Sequence, residues 1–352
     1  MMNQTRNAHR NSIASHWGTE LLKKRLITGF CGVALAASMT GAAHSQSSSS
    51  ALTAQSFPSQ PVRLILPFPP GGAVDPIARL LSQKLGEAWG KPVLVENRPG
   101  AGGIVATEFV ARSAPDGHIV TIAVLNHAVN PWMYKLPYDS VKDFSPISLI
   151  GITNLLLVVN AQVPVNSVAE LIQLAKKQPG KLNAATAGVG TSTHLAAALF
   201  NSVAGTEIMN VAYKGSGPAM TSILAGETTL GFDSLLNALP QIKGGRVKGL
   251  AVAGAKRSPL APDLPTVAES GLPGFEAYSW TGVLAPAKTP RDIVQKWSQE
   301  IARVVQSPDV RDRLINQGVD PVGNTPEQFT QFIEAEIKKW GAVVQQAGIK
   351  PE

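Results

Sequence analysis

The pattern of apolar and polar residues divides much of this chain into two blocks. In each block, segments with the two-residue period of a strand alternate with segments that have the period of a helix. In the first block, short apolar runs predict strands at residues 62–66, 93–96 and 119–125, and amphipathic stretches predict helices at 76–89 and 103–112. Strands that alternate with helices are typical of a parallel sheet covered by helices. The first block therefore predicts an α/β fold.

The first predicted helix has a clear start and a clear apolar face. Asp75 is predicted as its N-cap, with Pro76 at the first helical position. Its apolar face consists of Ile77, Leu80, Leu81, Leu85 and Trp89. Asp75 thus has a structural role available, and direct contact with a ligand is the alternative.

A second block of the same kind spans about residues 164–253. Its predicted strands are 182–186, 208–212, 229–233 and 249–253, and its predicted helices are 168–178, one from Thr191, 218–224 and one from Ser234. The apolar run that joins the two blocks, residues 147–160, is too long for one ordinary strand. A strand that crosses between two domains explains this length.

The C-terminal part is predicted to be helical, with three Ser/Thr-Pro pairs at helix starts. The pairs are Thr289-Pro290, Ser307-Pro308 and Thr325-Pro326, each a cap residue followed by proline. Thr325 with Gln328 also fits a capping box. The last helix has an apolar stripe that must pack on the rest of the molecule. This stripe consists of Phe329, Phe332, Ile333, Ile337, Trp340 and Val344.

The N-terminal region has the order of a secretory signal peptide: basic residues, an apolar run and small residues. Lys23-Lys24-Arg25 precede the run 26–39, and Ala43-His44-Ser45 carries small residues at the cleavage spacing. The run is short for a membrane span, and a buried helix is the alternative. We expect 1–45 to be a signal peptide with an N-terminal extension, 46–55 to be a flexible leader, and the mature protein to reside in the periplasm.

Charge and cysteine content argue against several classes of function. The 352 residues carry a formal charge of +7, but 1–45 contain five basic residues and one acid, which leaves 26 basic and 23 acidic residues, a net +3. So small a charge, without a basic patch, does not suggest a nucleic-acid partner. The single cysteine, Cys31, lies in the predicted signal, so the mature chain has no thiol nucleophile and no disulfide.

Two glycine-rich loops lie between a predicted strand and a predicted helix, where dinucleotide-binding proteins have their fingerprint. Residues 100–103 and 188–193 each lack the third glycine, so no nicotinamide cofactor is expected. In the second loop, Gly190 leads into a helix start that offers N–H groups and hydroxyls to an anion. That helix start consists of Thr191, Ser192, Thr193 and His194. A plain N-cap is the alternative, but it uses only one hydroxyl, and His194 is expected to be a packed helix residue.

Further polar residues follow other predicted strands, at the sheet edge where open α/β sheets bind ligands. Tyr213, Lys214 and Gly215 close one strand, and Asp233 ends another. A solvated turn residue is the alternative for Lys214, and a helix cap is the alternative for Asp233. The chain contains no catalytic motif and no clustered metal ligands, so we predict neither catalytic residues nor a metal site.

Seven segments resemble, in the same order, the Bug family of extracytoplasmic solute receptors of tripartite tricarboxylate transporters. They are PFPPGGAVDPIAR (67–79), VENRPGAGG (95–103), AVNPWMYKLPYDSVKDFSPIS (128–148), GVGTSTHLAAALF (188–200), VAYKGSGPAM (211–220), GFDSLLNALPQIKGG (231–245) and LPTVAESGLPGFEAYSWTGVLAPAKTP (264–290). The resemblance implies a two-domain periplasmic-binding-protein fold of the type II class. It places domain 1 at 56–155 plus 280–352 and domain 2 at 156–279, with chain crossings at 150–159 and 278–284.

The resemblance also implies a ligand and partners. The ligand is a small organic acid, held in the interdomain cleft by backbone amides, hydroxyls and waters and delivered to membrane permease subunits by a monomeric receptor without a cofactor. The residues it assigns to the ligand are Phe68, Gly71, Gly72, Asn126, Thr191, Ser192, Thr193, His194, Tyr213, Lys214, Gly215 and Asp233. Pro69 and Pro70 lack an N–H and leave fewer donors in the first loop. A receptor for a signalling partner and an exported α/β enzyme are the alternatives.

Overall fold

The structure is a computed structural model that describes residues 56–350, so the predicted signal peptide and leader lie outside the described residues. The strands are β1 (Val62–Leu66), β2 (Val93–Asn97), β3 (Ile119–Val124), β4 (Phe144–Asn160), β5 (Asn183–Thr186), β6 (Met209–Ala212), β7 (Leu230–Ser234), β8 (Val247–Val252), β9 (Tyr278–Pro286) and β10 (Val319–Pro321). The helices are α1 (Asp75–Trp89), α2 (Ile104–Ala111), α3 (Asn126–Met133), α4 (Val168–Lys177), α5 (Ser192–Ala204), α6 (Ser216–Ala225), α7 (Leu235–Lys243), α8 (Arg291–Gln306), α9 (Pro308–Asn316) and α10 (Pro326–Gln346). The elements predicted in both blocks are confirmed, most of them to within two residues at each end.

The strands form one sheet with two halves, which we call lobe 1 and lobe 2. Lobe 1 contains β2, β1, β3, β9 and the first part of β4, in this order, with β10 also paired to β4. Strands β1, β2 and β3 are parallel, whereas β9 is antiparallel to both β3 and β4. The predicted parallel sheet is thus found only in the outer strands. The chain enters β9 without the crossover helix that a parallel neighbour requires, so β9 pairs in the opposite direction.

Lobe 2 contains the last part of β4, followed by β7, β5 and β6. Strands β7, β5 and β6 are parallel to one another, and both β7 and β8 are antiparallel to β4. Large side chains fill its interior, among them Phe200, Phe232 and Phe275, whose rings lie about 6 Å apart. These side chains belong to a core that continues into lobe 1, where it includes Trp280 and Phe329.

Strand β4 joins the two lobes and changes partners along its 17 residues. Up to Asn154 it pairs with β9, and from Leu155 it pairs with β7. This is the crossing strand that the long apolar run predicts, and the change of partner lies inside the predicted crossing at 150–159. The domain boundaries taken from the family resemblance stay a prediction.

The start of α1 differs from the prediction. Val74, not Asp75, is the N-cap residue, and no side chain caps the helix. Asp75 lies in the first turn, where its carboxylate accepts a hydrogen bond from Arg79 Nε at 2.8 Å. The prediction of Asp75 as N-cap is wrong because an arginine one turn later competes for the carboxylate.

The three Ser/Thr-Pro pairs turn out to differ from one another. At α10 the predicted capping box of Thr325 and Gln328 is confirmed. At α9, Ser307 is the N-cap residue, but its hydroxyl donates to the Val304 carbonyl instead of capping. At α8 the prediction is wrong: Pro290 is the N-cap residue, and the Thr289 hydroxyl donates to the carbonyl at the end of β9.

Helix α10 docks on lobe 1 through its predicted apolar stripe and through one buried carboxylate. Glu336, 3% exposed, accepts hydrogen bonds from Tyr278 Oη at 3.0 Å, from Trp280 Nε1 at 3.1 Å and from Trp340 Nε1 at 2.8 Å. Burial, together with the Glu336 charge, raises the pKa of Tyr278, so this phenol stays a donor. Because Tyr278 and Trp280 lie on β9, α10 holds one face of that strand in place.

Candidate functional site

A cleft of about 440 Å³ lies where the two lobes meet. Its lining residues are Gly71, Gly72, Ala73, Val74, Pro76, Ile77, Thr153, Leu155, Ser192, Thr193, Ser216, Ser234, Leu236, Ser279, Thr281, Gln317 and Val319. We call the part formed by 71–74, Pro76, Ile77, Gln317 and Val319 the lobe-1 wall, and the part formed by Ser192, Thr193, Ser216, Ser234 and Leu236 the lobe-2 wall. Within residues 56–350, no ionisable side chain lines this cleft.

The floor of the cleft consists of four residues on the two central strands. Thr153 and Leu155 belong to β4, and Ser279 and Thr281 belong to β9. Side chains two residues apart on a strand point to the same face, so each pair points into the cleft. The intervening residue on β9, Trp280, points the other way and binds Glu336. The docking of α10 therefore positions the floor hydroxyls.

Hydroxyl groups without a protein partner converge on the cleft. In the described part of the chain, the side chains of Thr153, Ser192, Ser216, Ser279 and Thr281 make no hydrogen bond. All five residues line the cleft, so their hydroxyls face solvent or a ligand there. This set of donors fits a polar or anionic ligand in the cleft.

Two helices of lobe 2 begin at these hydroxyls. Ser192 is the first residue of α5, and Ser216 is the first residue of α6. The first-turn amides of a helix lack intrahelical partners, and the helix dipole is positive at this end. The lobe-2 wall thus presents two helix N-termini, each with a free hydroxyl, to the same cavity.

The other polar residues at the start of α5 hold the loop together. Thr191 is the N-cap: its Oγ1 accepts from the His194 amide at 3.4 Å and donates to the Gly188 carbonyl at 2.7 Å. Thr193 Oγ1 accepts from the Ala187 amide at 2.8 Å, and His194 Nδ1 accepts from the Gly190 amide at 3.1 Å. These bonds give Thr191, Thr193 and His194 structural roles and leave Ser192 free.

Asp233 lies behind the lobe-2 wall at the end of β7. It is 2% exposed, and its carboxylate accepts from the Ser234 amide and from Asn237 Nδ2, both at 2.7 Å. Burial raises its pKa to about 6, although both hydrogen bonds oppose this shift. Ser234 itself caps α7 through the Asn237 amide. The N-terminus of α7 is therefore occupied by the protein's own side chains.

The lobe-1 wall is built from the loop after β1 and the first turn of α1. Gly71 has φ +80°, a conformation that favours glycine. The Gly72 carbonyl accepts from the Asp75 amide at 3.1 Å. The pKa of Asp75 is lowered mainly by its hydrogen bond from Arg79, with smaller contributions from the Gly71 amide and Asn97. The first turn of α1 thus carries an Asp75–Arg79 ion pair, and no side chain caps the helix amides.

The residues assigned from sequence fall into two groups. Gly71, Gly72, Ser192 and Thr193 line the cleft, whereas the other assigned residues do not. Those outside the lining are Phe68, Asn126, Thr191, His194, Tyr213, Lys214, Gly215 and Asp233. Several of these are immediate neighbours of lining residues, and their role toward a ligand stays a prediction.

Sequence reasoning missed the floor and one apolar residue of the lobe-2 wall. Thr153, Ser279 and Thr281 lie inside apolar strands that resemble ordinary core, and only their alternation with buried neighbours could have indicated them. Leu236 is 58% exposed on the first turn of α7. Because a leucine in a helix is expected to be buried, the sequence does not indicate that Leu236 is exposed in the cleft.

No cluster of three or more histidine, cysteine, aspartate and glutamate side chains suits a metal ion in residues 56–350. Of the helices in the same range, none has both the length and the apolarity needed to cross a bilayer.

Comparison with known proteins gives consistent matches along the chain. Residues 77–349 match the model of the tripartite tricarboxylate transporter family receptor. The protein BugT of Bordetella pertussis is 35% identical over 302 residues, which cover 85% of this chain and 93% of BugT. Two solved structures from Rhodopseudomonas palustris are also similar. Rpa4515, determined with adipate, has 36% identity and a TM-score of 0.74, covering 84% of this chain and 100% of its own. MatC, with bound malate, has 34% identity and a TM-score of 0.69, covering 82% of this chain and 100% of its own.

Proposed function

This chain belongs to the family of tripartite tricarboxylate transporter receptors, and we propose that its cleft captures a small carboxylic acid for the permease of such a transporter. The family consists of periplasmic solute-binding receptors with a two-domain fold. Similar receptors have been solved with adipate and with malate, both carboxylates. The observation that carries the proposal is the group of unpartnered hydroxyls at the N-termini of α5 and α6 and on the cleft floor.

Neutral donors are well suited to a ligand that must be released again. A hydrogen bond from a hydroxyl or amide to a carboxylate contributes about 1.5–3 kcal/mol. Helix N-termini bind anions without a charged side chain. We infer that Ser192 and Ser216 hold the carboxylate from lobe 2, while Thr153, Ser279 and Thr281 approach it from the floor.

We propose that the protein binds its ligand without converting it. General acid–base catalysis requires a titratable group within hydrogen-bond reach of the substrate. The lining residues within 56–350 are all uncharged. The two buried carboxyls next to lining residues are engaged, Asp75 by Arg79 and Asp233 by Ser234 and Asn237. An exported enzyme is therefore disfavoured. A receptor for a signalling partner would have the same cleft and differs only in the protein it contacts.

The remaining assignments concern the cell and the partners. We propose that residues 1–45 direct export and are removed, that the mature receptor is a monomer, and that the closed, loaded form is recognised by permease subunits. Intact-mass measurement of protein recovered from the periplasm tests the first of these, since a signal peptide predicts cleavage between residues 43 and 46.

Titration calorimetry with a panel of carboxylic acids tests the proposed site. We expect Ser192→Ala and Ser216→Ala each to weaken binding about tenfold to a hundredfold, because each removes one hydrogen bond to a charged group. Ser202→Ala is the matched control, an exposed serine further along the same helix α5. Added salt is expected to change the affinity little, because short-range dipoles in a closed cleft are poorly screened.

One result would show that the ligand is not held by Ser192 and Ser216. Lys214 is exposed two residues before Ser216 and does not line the cleft. If Lys214→Ala abolished binding while both serine variants bound normally, a cation would hold the ligand, and our assignment of the lobe-2 wall would be wrong.

A further inference from the structure

We propose that Met133 is a positioning residue for ligand binding: it packs on Gly190 across the boundary between the lobes, fixes the start of α5 and slows the release of a bound acid. This inference rests on the proposed function and adds to it a residue that does not itself line the cleft. It follows from the points at which the two lobes touch.

Met133 and Gly190 belong to different lobes and lie in contact. Met133 ends α3 in lobe 1 and is 8% exposed, and Gly190 lies in lobe 2, two residues before Ser192. A Cβ at Gly190 would lie 3.0 Å from Met133 Sδ and 3.3 Å from Met133 Cε. Gly190 has φ +73°, a conformation that favours glycine. The methionine side chain therefore packs against the bare backbone of the loop that leads into α5.

The loop that Met133 touches is bonded to the first turn of α5. The Gly190 amide donates to His194 Nδ1 at 3.1 Å. The His194 amide in turn donates to the Thr191 hydroxyl oxygen at 3.4 Å. These two bonds connect the residues on both sides of Ser192. A contact at Gly190 therefore also restricts where the Ser192 hydroxyl can lie.

Helix α3 is itself held in place by α10. Trp132 Nε1 donates to the Ile337 carbonyl at 2.8 Å, and the indole ring packs directly on Gly341, where a side chain would collide with it. Trp132 directly precedes Met133, so its contacts with α10 also limit where Met133 can lie. A series of contacts thus runs from α10 through α3 to the start of α5.

The lobes also touch beside the cleft itself. Gly318 lies before β10 in lobe 1, and a Cβ there would lie 3.6 Å from Leu235 Cβ and 3.7 Å from the Leu236 backbone nitrogen. Both leucines begin α7 in lobe 2. The neighbours of Gly318, Gln317 and Val319, line the cleft together with Leu236. Lobe 1 therefore contacts lobe 2 at or next to the start of two helices, α5 and α7.

Stopped-flow binding of adipate and of malate to Met133→Ala tests the effect on release. A contact that forms as the lobes close stabilises only the closed, loaded state, so its loss speeds release and leaves entry into the open cleft unchanged. We expect the dissociation rate to rise about fivefold to twentyfold and the association rate to change less than about twofold. Met133→Leu, which keeps most of the volume, should behave as the unmodified protein does. A dissociation rate unchanged by Met133→Ala would overturn the proposal.

Leu171→Ala is the control for a general loss of stability. Leu171 is fully buried on α4 in lobe 2 and does not line the cleft. We expect this variant to lower the free energy of unfolding at least as much as Met133→Ala, because it also truncates a buried side chain, and to leave the dissociation rate unchanged. If Leu171→Ala sped release equally, Met133 would have no role beyond stability, and the proposal would be wrong.

A double-mutant cycle with Gly190→Ala tests the contact between the two residues. An alanine at Gly190 has the same backbone strain whether or not residue 133 is methionine, but only the methionine obstructs its Cβ. We therefore expect Gly190→Ala to weaken adipate binding at least about threefold more in the unmodified background than in Met133→Ala. Equal weakening in both backgrounds would show that the residues do not interact.

Hydrogen exchange of the ligand-free protein distinguishes failure of this proposal from failure of the proposed function. We expect the amides of residues 187–194 to exchange about threefold to tenfold faster in Met133→Ala than in Leu171→Ala. Equal exchange would mean that Met133 does not position this loop, whether or not an acid binds. If exchange changes as expected but neither adipate nor malate binds the unmodified protein, the proposed function is wrong while the positioning of the loop by Met133 stands.

Discussion

The two walls of the cleft begin with the same local arrangement, a strand followed by a glycine-containing loop and a helix, yet they offer different chemistry. On the lobe-2 wall, Ser192 begins α5 with a free hydroxyl and no acid in the first turn. On the lobe-1 wall, Asp75 lies in the first turn of α1 and is bound by Arg79. The first turn of α1 therefore carries an acid–base pair, whereas the first turn of α5 carries no acidic residue beside its free hydroxyl.

The difference has a further consequence for how each wall contacts a ligand. The lobe-1 wall contributes several apolar groups, such as Val74, Ile77 and Val319, and one polar side chain, Gln317. The lobe-2 wall contributes hydroxyls and only one large apolar side chain, Leu236. The hydroxyls of the cleft walls thus lie mainly on lobe 2, and more of the apolar groups lie on lobe 1.

The largest expected difference between the two lobes is in how a change of pH alters the free energy of unfolding. Burial raises the pKa of Asp233 in lobe 2 from 3.8 to about 6, so the folded state binds this proton more tightly than the unfolded state does. The free energy of unfolding should therefore fall by about 3 kcal/mol as the pH rises from about 4 to 6. Burial lowers the pKa of His127 in lobe 1 from 6.5 to about 4. The neutral imidazole therefore makes its full contribution to the free energy of unfolding above pH 6.5, and this contribution is lost as the pH falls. The two contributions oppose each other.

Single substitutions at Asp233 and at His127 isolate the contribution of each group to the pH dependence of stability. In urea unfolding between pH 4.5 and 6.5, Asp233→Asn should leave a stability that rises with pH, and His127→Gln one that falls with pH. If both variants kept the pH profile of the unmodified protein, neither group would titrate as its burial implies.

Removal of the negative charge of Asp75 should make the lobe-1 wall interact with an anionic group more as the lobe-2 wall does. We expect Asp75→Asn to improve binding of adipate by about two- to fivefold relative to hexanoate, which has a chain of the same length and one carboxylate, because an ionised group at a helix N-terminus is worth about 0.3–1 kcal/mol. Asp263→Asn is the control, since it makes the same change of charge at an exposed site outside the cleft. An unchanged ratio in calorimetry would mean that Asp75 does not affect how lobe 1 meets the ligand.

An effect of similar size distinguishes the neighbouring hydroxyls at the start of α5. Thr191→Ala should destabilise the fold by about 1 kcal/mol, as the loss of an N-cap does, and weaken ligand binding less than Ser192→Ala. Thr325→Ala removes the equivalent cap from α10 and should have a similar effect on stability with no effect on binding. A larger loss of affinity in Thr191→Ala than in Ser192→Ala would assign ligand contact to Thr191.

Much of the fold followed from local patterns. The period of apolar residues predicted the helices and strands of both blocks, and the run at 147–160 predicted the strand that joins the lobes. These features depend on neighbours within one element, so one segment of sequence contains the information. The antiparallel direction of β9 did not follow, because strand direction depends on where the chain re-enters the sheet.

The sequence by itself determined the two-lobed α/β fold and the presence of hydroxyls at the start of α5. Only the tertiary structure decided which of these hydroxyls are available, since Thr191 caps α5, Thr193 binds the Ala187 amide and Ser192 has no partner within 56–350. It also brought Ser279 and Thr281 beside Ser216, although these residues are more than sixty positions apart. The physical reason is that a side chain's free donors depend on hydrogen bonds and burial, which are set by contacts between distant segments.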